Sequence, residues 1–137
     1  LTVIIGLLGR KRSGKDTFAA RLVDAHDFTR YAFADALKDA ALALDPMMGL
    51  DRHDQPVRLS EIVNANGWEA AKESYEVRRT LQNMGVGVRN LDPDFWLRVV
   101  MDKVRADGGN AVITDVRFPN EADAITAAGG YLARVRR

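Results

Sequence analysis

The sequence predicts an α/β protein with a parallel sheet and helices on both faces. Three observations carry this. The run Val3-Ile4-Ile5-Gly6-Leu7-Leu8 is apolar and leads through a glycine-rich turn into a helical pattern. Strand and helix patterns then alternate along the chain, and strands joined by crossover helices bury themselves best as a parallel sheet. The length of 137 residues, with 47% apolar and 28% charged, suits one domain with a real core.

The elements follow in order. Thr2 to Leu8 is the first strand, and Gly14 to about His26 is a helix with Phe18, Leu22 and Ala25 on one face. Phe28 to Phe33 alternates apolar and polar residues and reads as the second strand. Asp35 to about Leu44 is an Ala- and Leu-rich helix, ended by Asp45-Pro46 and Gly49. Residues 46–58 carry Pro, Gly, Asp and Gln and read as a loop. Leu59–Asn64 and Trp68–Tyr75 read as short helices split at Asn66-Gly67. Glu76 to Met84 is a helix stopped by Gly85 and Gly87. Asp92-Pro93-Asp94 caps a helix over 94–105, in which Trp96, Val100 and Val104 share a face. Ala111–Thr114 is a short buried strand. Asn120 opens a helix that stops at Gly129-Gly130, and Tyr131–Val135 is the last strand. The mostly helical stretch of about 35–105 interrupts the alternation and is expected to project beside the glycine-rich turn.

Composition narrows the function. A formal net charge of +1 offers no bulk electrostatic case for nucleic acid or an acidic membrane. The absence of Cys excludes disulfides, thiolate zinc sites and cysteine nucleophiles, and fits a reducing cytoplasm. No apolar run approaches membrane-spanning length, and no signal peptide is visible. His26 and His53 have no partners at metal-ligand spacing.

The turn Gly9-Arg10-Lys11-Arg12-Ser13-Gly14-Lys15-Asp16-Thr17 reads G-x-x-x-x-G-K, the P-loop pattern. Its backbone N–H groups and the following helix N-terminus suit a polyphosphate, and Lys15 would reach the β- and γ-phosphates. The position after Lys15, where a P-loop has a Ser or Thr for Mg²⁺, is Asp16; Thr17 supplies a hydroxyl one residue later, as in adenylate-kinase-like enzymes. Asp16 and Thr17 are therefore the metal candidates here. Arg12 is expected to neutralise triphosphate charge; Arg10 and Lys11 read equally as a solvated basic turn.

Three further clusters suit phosphoryl transfer, which needs cations on donor and acceptor phosphates and oxygens for a metal. Asp35 and Lys38 lie three apart on one helix face, with a plain N-cap as the alternative for Asp35. Arg78, Arg79 and Gln82 lie on another helix, where Arg suits phosphate and Gln suits a base edge; a solvated basic face is the alternative. Asp115 and Arg117 follow the strand Ala111–Thr114, at the strand end where open parallel sheets bind ligands, unless they form a surface ion pair. Asn120 suits a helix cap, and Glu121 is a further candidate.

Together the segments 9–17, Phe-Ala-Asp-Ala-Leu-Lys (33–38), Arg-Arg-Thr-Leu-Gln-Asn-Met-Gly (78–85), Asp-Phe-Trp (94–96) and Asp-Val-Arg-Phe-Pro-Asn-Glu-Ala (115–122) resemble the bacteriophage deoxynucleoside monophosphate kinases. The resemblance implies a P-loop NTPase three-layer sandwich of the adenylate-kinase type, a single domain over 1–137 with a helical acceptor-binding region. It implies transfer of the ATP γ-phosphoryl group to a deoxynucleoside 5′-monophosphate with Mg²⁺, in the cytoplasm of a host. By motif position, Gly9, Arg12, Ser13, Gly14, Lys15, Asp16 and Thr17 would hold ATP and metal. Asp35, Lys38, Arg78, Arg79, Gln82, Arg117 and Glu121 would face the acceptor, and Asp115 would sit near the metal, with Lys15, Arg117 and Asp115 catalytic.

The family continues Gly85 with Thr and an acidic residue, where this chain has Val86-Gly87-Val88-Arg89. Related kinases also carry an Arg-bearing lid and often a fifth strand after the point where this sequence stops, so those parts are expected to be missing from it. The last strand would then leave an edge on which a second copy could pair. Two other readings stay open: a small-molecule kinase of the dephospho-CoA or phosphomevalonate type, and a nucleotide-binding module without turnover.

Overall fold

A computed structural model describes residues 2–10 and 13–136. They form two compact units, one of the described residues up to Ala36 together with those from Asp94 onward, and one of residues 37–93.

The first unit holds a four-stranded sheet in the order β2-β5-β1-β6, with β1 Ile4–Leu8, β2 Phe28–Tyr31, β5 Asn110–Ile113 and β6 Tyr131–Arg134. Every pairing is parallel, with Gly6 opposite Ile113 and Leu132, and Tyr31 opposite Ile113. The helices of this unit are α1 Lys15–His26, α5 Phe95–Asp107 and α6 Pro119–Ala127, together with the first turn of α2, Phe33–Leu44. Parallel strands read as apolar runs because both faces are covered, and here alternate residues serve two cores. Ile4, Leu8, Ala111 and Ile113 pack with Leu97, Val100, Met101 and Val104 of α5 and Ile125 of α6. Ile5, Leu7 and Val112 pack with Ala19 and Leu22 of α1. This gives three layers, as the sequence predicts. Helix α5 belongs to this unit and fills its core, so the helical region expected over about 35–105 is, as a compact unit, only 37–93.

The second unit has its own core of Ala41, Leu59, Ala71 and Val77, flanked by Met48, Trp68, Leu81 and Met84. Three expectations change here. The stretch read as a loop forms a hairpin of β3 Met47–Leu50 and β4 Pro56–Arg58, antiparallel with an irregular register. The Asp51 carboxylate closes its turn by accepting the amides of His53 and Gln55. In a two-stranded hairpin both strands are edges, so Pro56 removes no buried ladder bond. The two expected short helices do meet at a break at Gly67 (φ 82°, ψ 172°) within α3, Leu59–Ala71, but the second piece ends at Ala71 and not at Tyr75. Helix α4, Tyr75–Leu91, runs through Gly85 and Gly87 instead of stopping. A side chain at Gly85 would put its Cβ 3.1 Å from Leu37 Cδ2, so the missing Cβ admits a close neighbour. That packing offsets a propensity cost of about 1 kcal/mol per helical glycine.

One polar contact in the first core is tied to pH. The Tyr31 hydroxyl donates to Asp107 Oδ2 at 2.5 Å. Burial, then this bond, then the Asp107 charge push the phenol from 10.0 up to about 12. The folded state favours the neutral phenol, so this contribution is complete below pH 10.0 and is lost as pH rises through about 12. Urea unfolding of the wild type should weaken over that window, and Tyr31→Phe should flatten this part of the decline; equal slopes for both proteins would refute the assignment.

Candidate functional site

Because the four strands are parallel, their carboxyl ends lie along one edge of the first unit's sheet. Three segments leave from that edge: the turn after β1, the turn from β2 into α2, and residues 114–118 after β5.

The turn after β1 has a defined shape. Gly9 has φ 144° and Gly14 φ 97°, both in the region that disfavours side chains. A Cβ on Gly9 would fall 2.6 Å from the Val135 carbonyl oxygen and 2.8 Å from Ser13 Oγ. The Ser13 amide donates to the Arg10 carbonyl at 3.0 Å, which closes the loop. Ser13 is 9% exposed, and its hydroxyl has no hydrogen-bond partner among the described residues. A buried hydroxyl left unpaired costs about 1–3 kcal/mol, so this one is free to serve a ligand at the turn. Gly14 is the N-cap of α1 and offers no side-chain cap to the helix amides. Among the described residues, a glycine turn, a hydroxyl and a helix N-terminus without a capping side chain suit an anion. Lys15 is half-buried beside this turn, while Asp16 and Thr17 are exposed in the first turn of α1. Arg12, expected to neutralise triphosphate, lies outside the described residues.

The segment after β5 is held by carboxylates. Asp115 Oδ1 accepts the Phe33 amide at 2.8 Å, and Oδ2 accepts the Ala34 amide at 3.0 Å. Both oxygens thus serve the N-terminus of α2, where the sequence placed a group near a metal. Glu121 is 6% exposed, and its Oε1 accepts the amides of Arg117 and Phe118 at 2.9 and 3.0 Å. Glu121 therefore braces the backbone of the loop through Oε1, a role that the sequence pattern does not mark. Asn120 Nδ2 donates to Asp94 Oδ1, and α6 opens at Pro119, so Asn120 is not its cap. Arg117 is exposed on this braced loop. No ion pair joins it to Asp115, the surface pair posed as the alternative.

Asp35 lies in the first turn of α2 and is paired with Arg30 Nη1 at 3.0 Å. Helix α2 starts two residues earlier, at Phe33, so Asp35 is not the N-cap that the sequence left open. Arg30 was not singled out in the sequence. Its place near the carboxyl end of β2 is the signal that could have found it.

The remaining expected residues lie in the second unit. Lys38 Nζ sits 5.7 Å from the Trp68 ring centroid, a cation–π contact that gives Trp68 a part beyond core packing. Arg78 Nη1 donates to the carbonyls of Lys72 and Glu73 in the turn after α3, so part of this guanidinium is structural. Arg79 pairs with Glu76 at 3.5 Å, and Gln82 is exposed on the same helix.

Among the described residues, no group of three or more His, Asp or Glu side chains gathers as a metal cage. Hydroxyl and carboxylate oxygens at Thr17 and Asp16 fit a hard divalent cation that takes its other ligands from phosphate and water. No helix among the described residues is long and apolar enough to cross a membrane.

Comparison with known proteins adds the chemistry. Residues 48–137 match the family described as deoxynucleotide monophosphate kinase. A protein of Acanthamoeba polyphaga mimivirus, provisionally named a deoxynucleotide monophosphate kinase, is 32% identical over 98% of this chain and 74% of its own length. An uncharacterized protein of Ictalurid herpesvirus 1, ORF77, is 39% identical over 44% of this chain and 28% of its own length. The family match begins after the glycine-rich turn, whereas the mimivirus alignment extends over nearly the whole chain.

The two loop glycines should respond differently to substitution. Gly14→Ala would meet only an ordinary contact, Val135 Cγ1 at 3.7 Å, and should cost about 1–2 kcal/mol from backbone strain. Gly9→Ala adds a steric clash, so it should cost more and abolish nucleotide binding, read by urea unfolding and by titration with ATP; equal costs would show that the loop relaxes freely.

Proposed function

The chain belongs to the deoxynucleotide monophosphate kinase family, and from that premise we propose that it transfers the γ-phosphoryl group of ATP to a deoxynucleoside 5′-monophosphate. The observation that carries the donor half is the buried Ser13 hydroxyl, without a partner among the described residues, in a glycine turn at the N-terminus of α1. Family membership carries the acceptor class.

In this reading, the amides of the turn from Gly9 to Lys15 bind the polyphosphate, and Ser13 Oγ donates to one of its oxygens. Lys15 follows the transferring group and neutralises charge on the β- and γ-phosphates. Arg12 belongs to the same set by its place in the motif. Asp16 and Thr17 would hold Mg²⁺, which when bound neutralises phosphate charge and orients the chain of phosphates. Asp35, Lys38, Arg78, Arg79 and Gln82 receive the acceptor nucleotide, with the Arg78 donors left over from α3 facing its phosphate. Arg117 supplies a second cation at the reacting phosphates, and Glu121 keeps its loop in shape.

The step itself balances without a general base. An ionised oxygen of the acceptor phosphate attacks the γ-phosphorus in line. A new P–O bond forms as the bond between the γ-phosphorus and the β–γ bridging oxygen breaks, and ADP departs with that electron pair. The protein's share is positioning and fixed positive charge, which strengthen as negative charge spreads in the transition state.

The test is ADP release from Mg-ATP with dAMP, dGMP, dCMP or dTMP, each against a control without acceptor. Acceptor-dependent release is expected with at least one of them, and Lys15→Met should lower it by about a thousandfold, comparable to loss of other fixed charges at developing anions. Circular dichroism of the variant should be unchanged. ATP binding with no release for any of the four would replace this reading with a binding module; turnover of other acceptors alone would replace the substrate class.

A further inference from the structure

Asp115 stands two residues beyond β5, and Thr114 before it donates its amide to the Tyr31 carbonyl at 3.0 Å. The carboxylate therefore hangs from the end of a paired strand. It gives one oxygen to each of the first two amides of α2, Phe33 and Ala34. Those amides have no partner inside their own helix, and a carboxylate is the strongest neutral-pH acceptor for them. The next residue, Asp35, is held from the other side: its Oδ2 accepts from Arg30 Nη1, on a β2 residue paired in register with Val112 of β5. The backbone of this turn is thus fixed by Asp115 and its exposed carboxylate is aimed by Arg30.

We infer that Asp115 is a positioning residue for the acceptor-side carboxylate Asp35, acting through the N-terminus of α2, and not a metal ligand. The inference rests on the proposed function for the role of Asp35, but its mechanical half stands apart from turnover. Arg30 is the second member of the same device. An exposed ion pair adds little stability, so its contribution is orientation.

Two variants and two readouts test this. In Asp115→Asn only one side-chain oxygen remains, so amide hydrogen exchange at Phe33 and Ala34 in the unliganded protein should quicken about tenfold or more, as loss of a charge-assisted bond requires. In turnover assays the KM for the deoxynucleoside monophosphate should rise about fivefold or more, while KM for ATP and the Mg²⁺ concentration at half-maximal rate stay within about twofold. Arg30→Gln leaves the α2 amides bonded and should raise the same KM without changing their exchange. A shift in Mg²⁺ dependence with unchanged acceptor KM would overturn the inference in favour of a metal ligand. Faster exchange with every kinetic constant unchanged would reduce Asp115 to a structural cap and overturn it equally. If Asp115→Asn does not fold, an unchanged acceptor KM in Arg30→Gln overturns it. Absence of turnover in the wild type would sink the proposed function, while exchange would still report whether Asp115 anchors α2.

Discussion

The parallel pairing of β1 with β5 is the constraint on which the first unit depends. Gly6 faces Ile113 across this pair, so both strands end at the same edge of the sheet. The chain leaves β1 into the glycine turn and leaves β5 into the loop that carries Asp115 and Arg117. Because successive side chains alternate between faces, the same pairing assigns Leu7 and Val112 to the core with α1, and Leu8 and Ile113 to the core with α5 and α6. A slip of one residue would exchange these sets and drive Ile113 against α1. Neither helix layer can move without breaking the arrangement that aligns the two loops.

In each unit some acids hold backbone, and the cations divide between those that do so and those that do not. Asp115 closes the start of α2, Glu121 braces the turn before α6, and Asp51 closes the hairpin of the second unit. Asp45 does similar work there: its bonds to the amide and hydroxyl of Ser60 hold its carboxyl below the ordinary range. Arg78 holds the turn after α3, whereas Arg117 is exposed on a braced loop and Lys15 is half-buried at the start of α1. This division suits phosphoryl transfer. A site that stabilises spreading negative charge benefits from rigid amides and cations, and is harmed by carboxylates turned toward phosphate. The fixed charges then need little rearrangement when the reaction occurs.

The second unit shows how local signals yield to packing. Gly85 and Gly87 read as a helix stop because each lowers helix propensity, but the apolar face of Val77, Leu81 and Met84 buries α4 and carries it on to Leu91. Gly49 and Pro56 read as loop, but a two-stranded hairpin tolerates both, since its outer backbone groups meet solvent. Gly67 kept its signal, because a positive φ inside a helix forces a kink whatever the surroundings.

The sequence by itself determined the order of strands and helices in the first unit, the glycine-rich turn and the family. Each is encoded locally: an apolar run, glycines at fixed spacing, and short motifs in a fixed order. The tertiary structure alone decided what the polar residues near those motifs do. Asp115 and Glu121 carry the residue types of a ligand set, and only the fold shows that backbone amides take their oxygens. Arg30 and Trp68 had no motif to mark them, yet they hold Asp35 and Lys38. The reason is physical. A carboxylate or guanidinium has the same chemistry wherever it stands, and its role is set by which donor or acceptor the folded chain brings within about 3 Å.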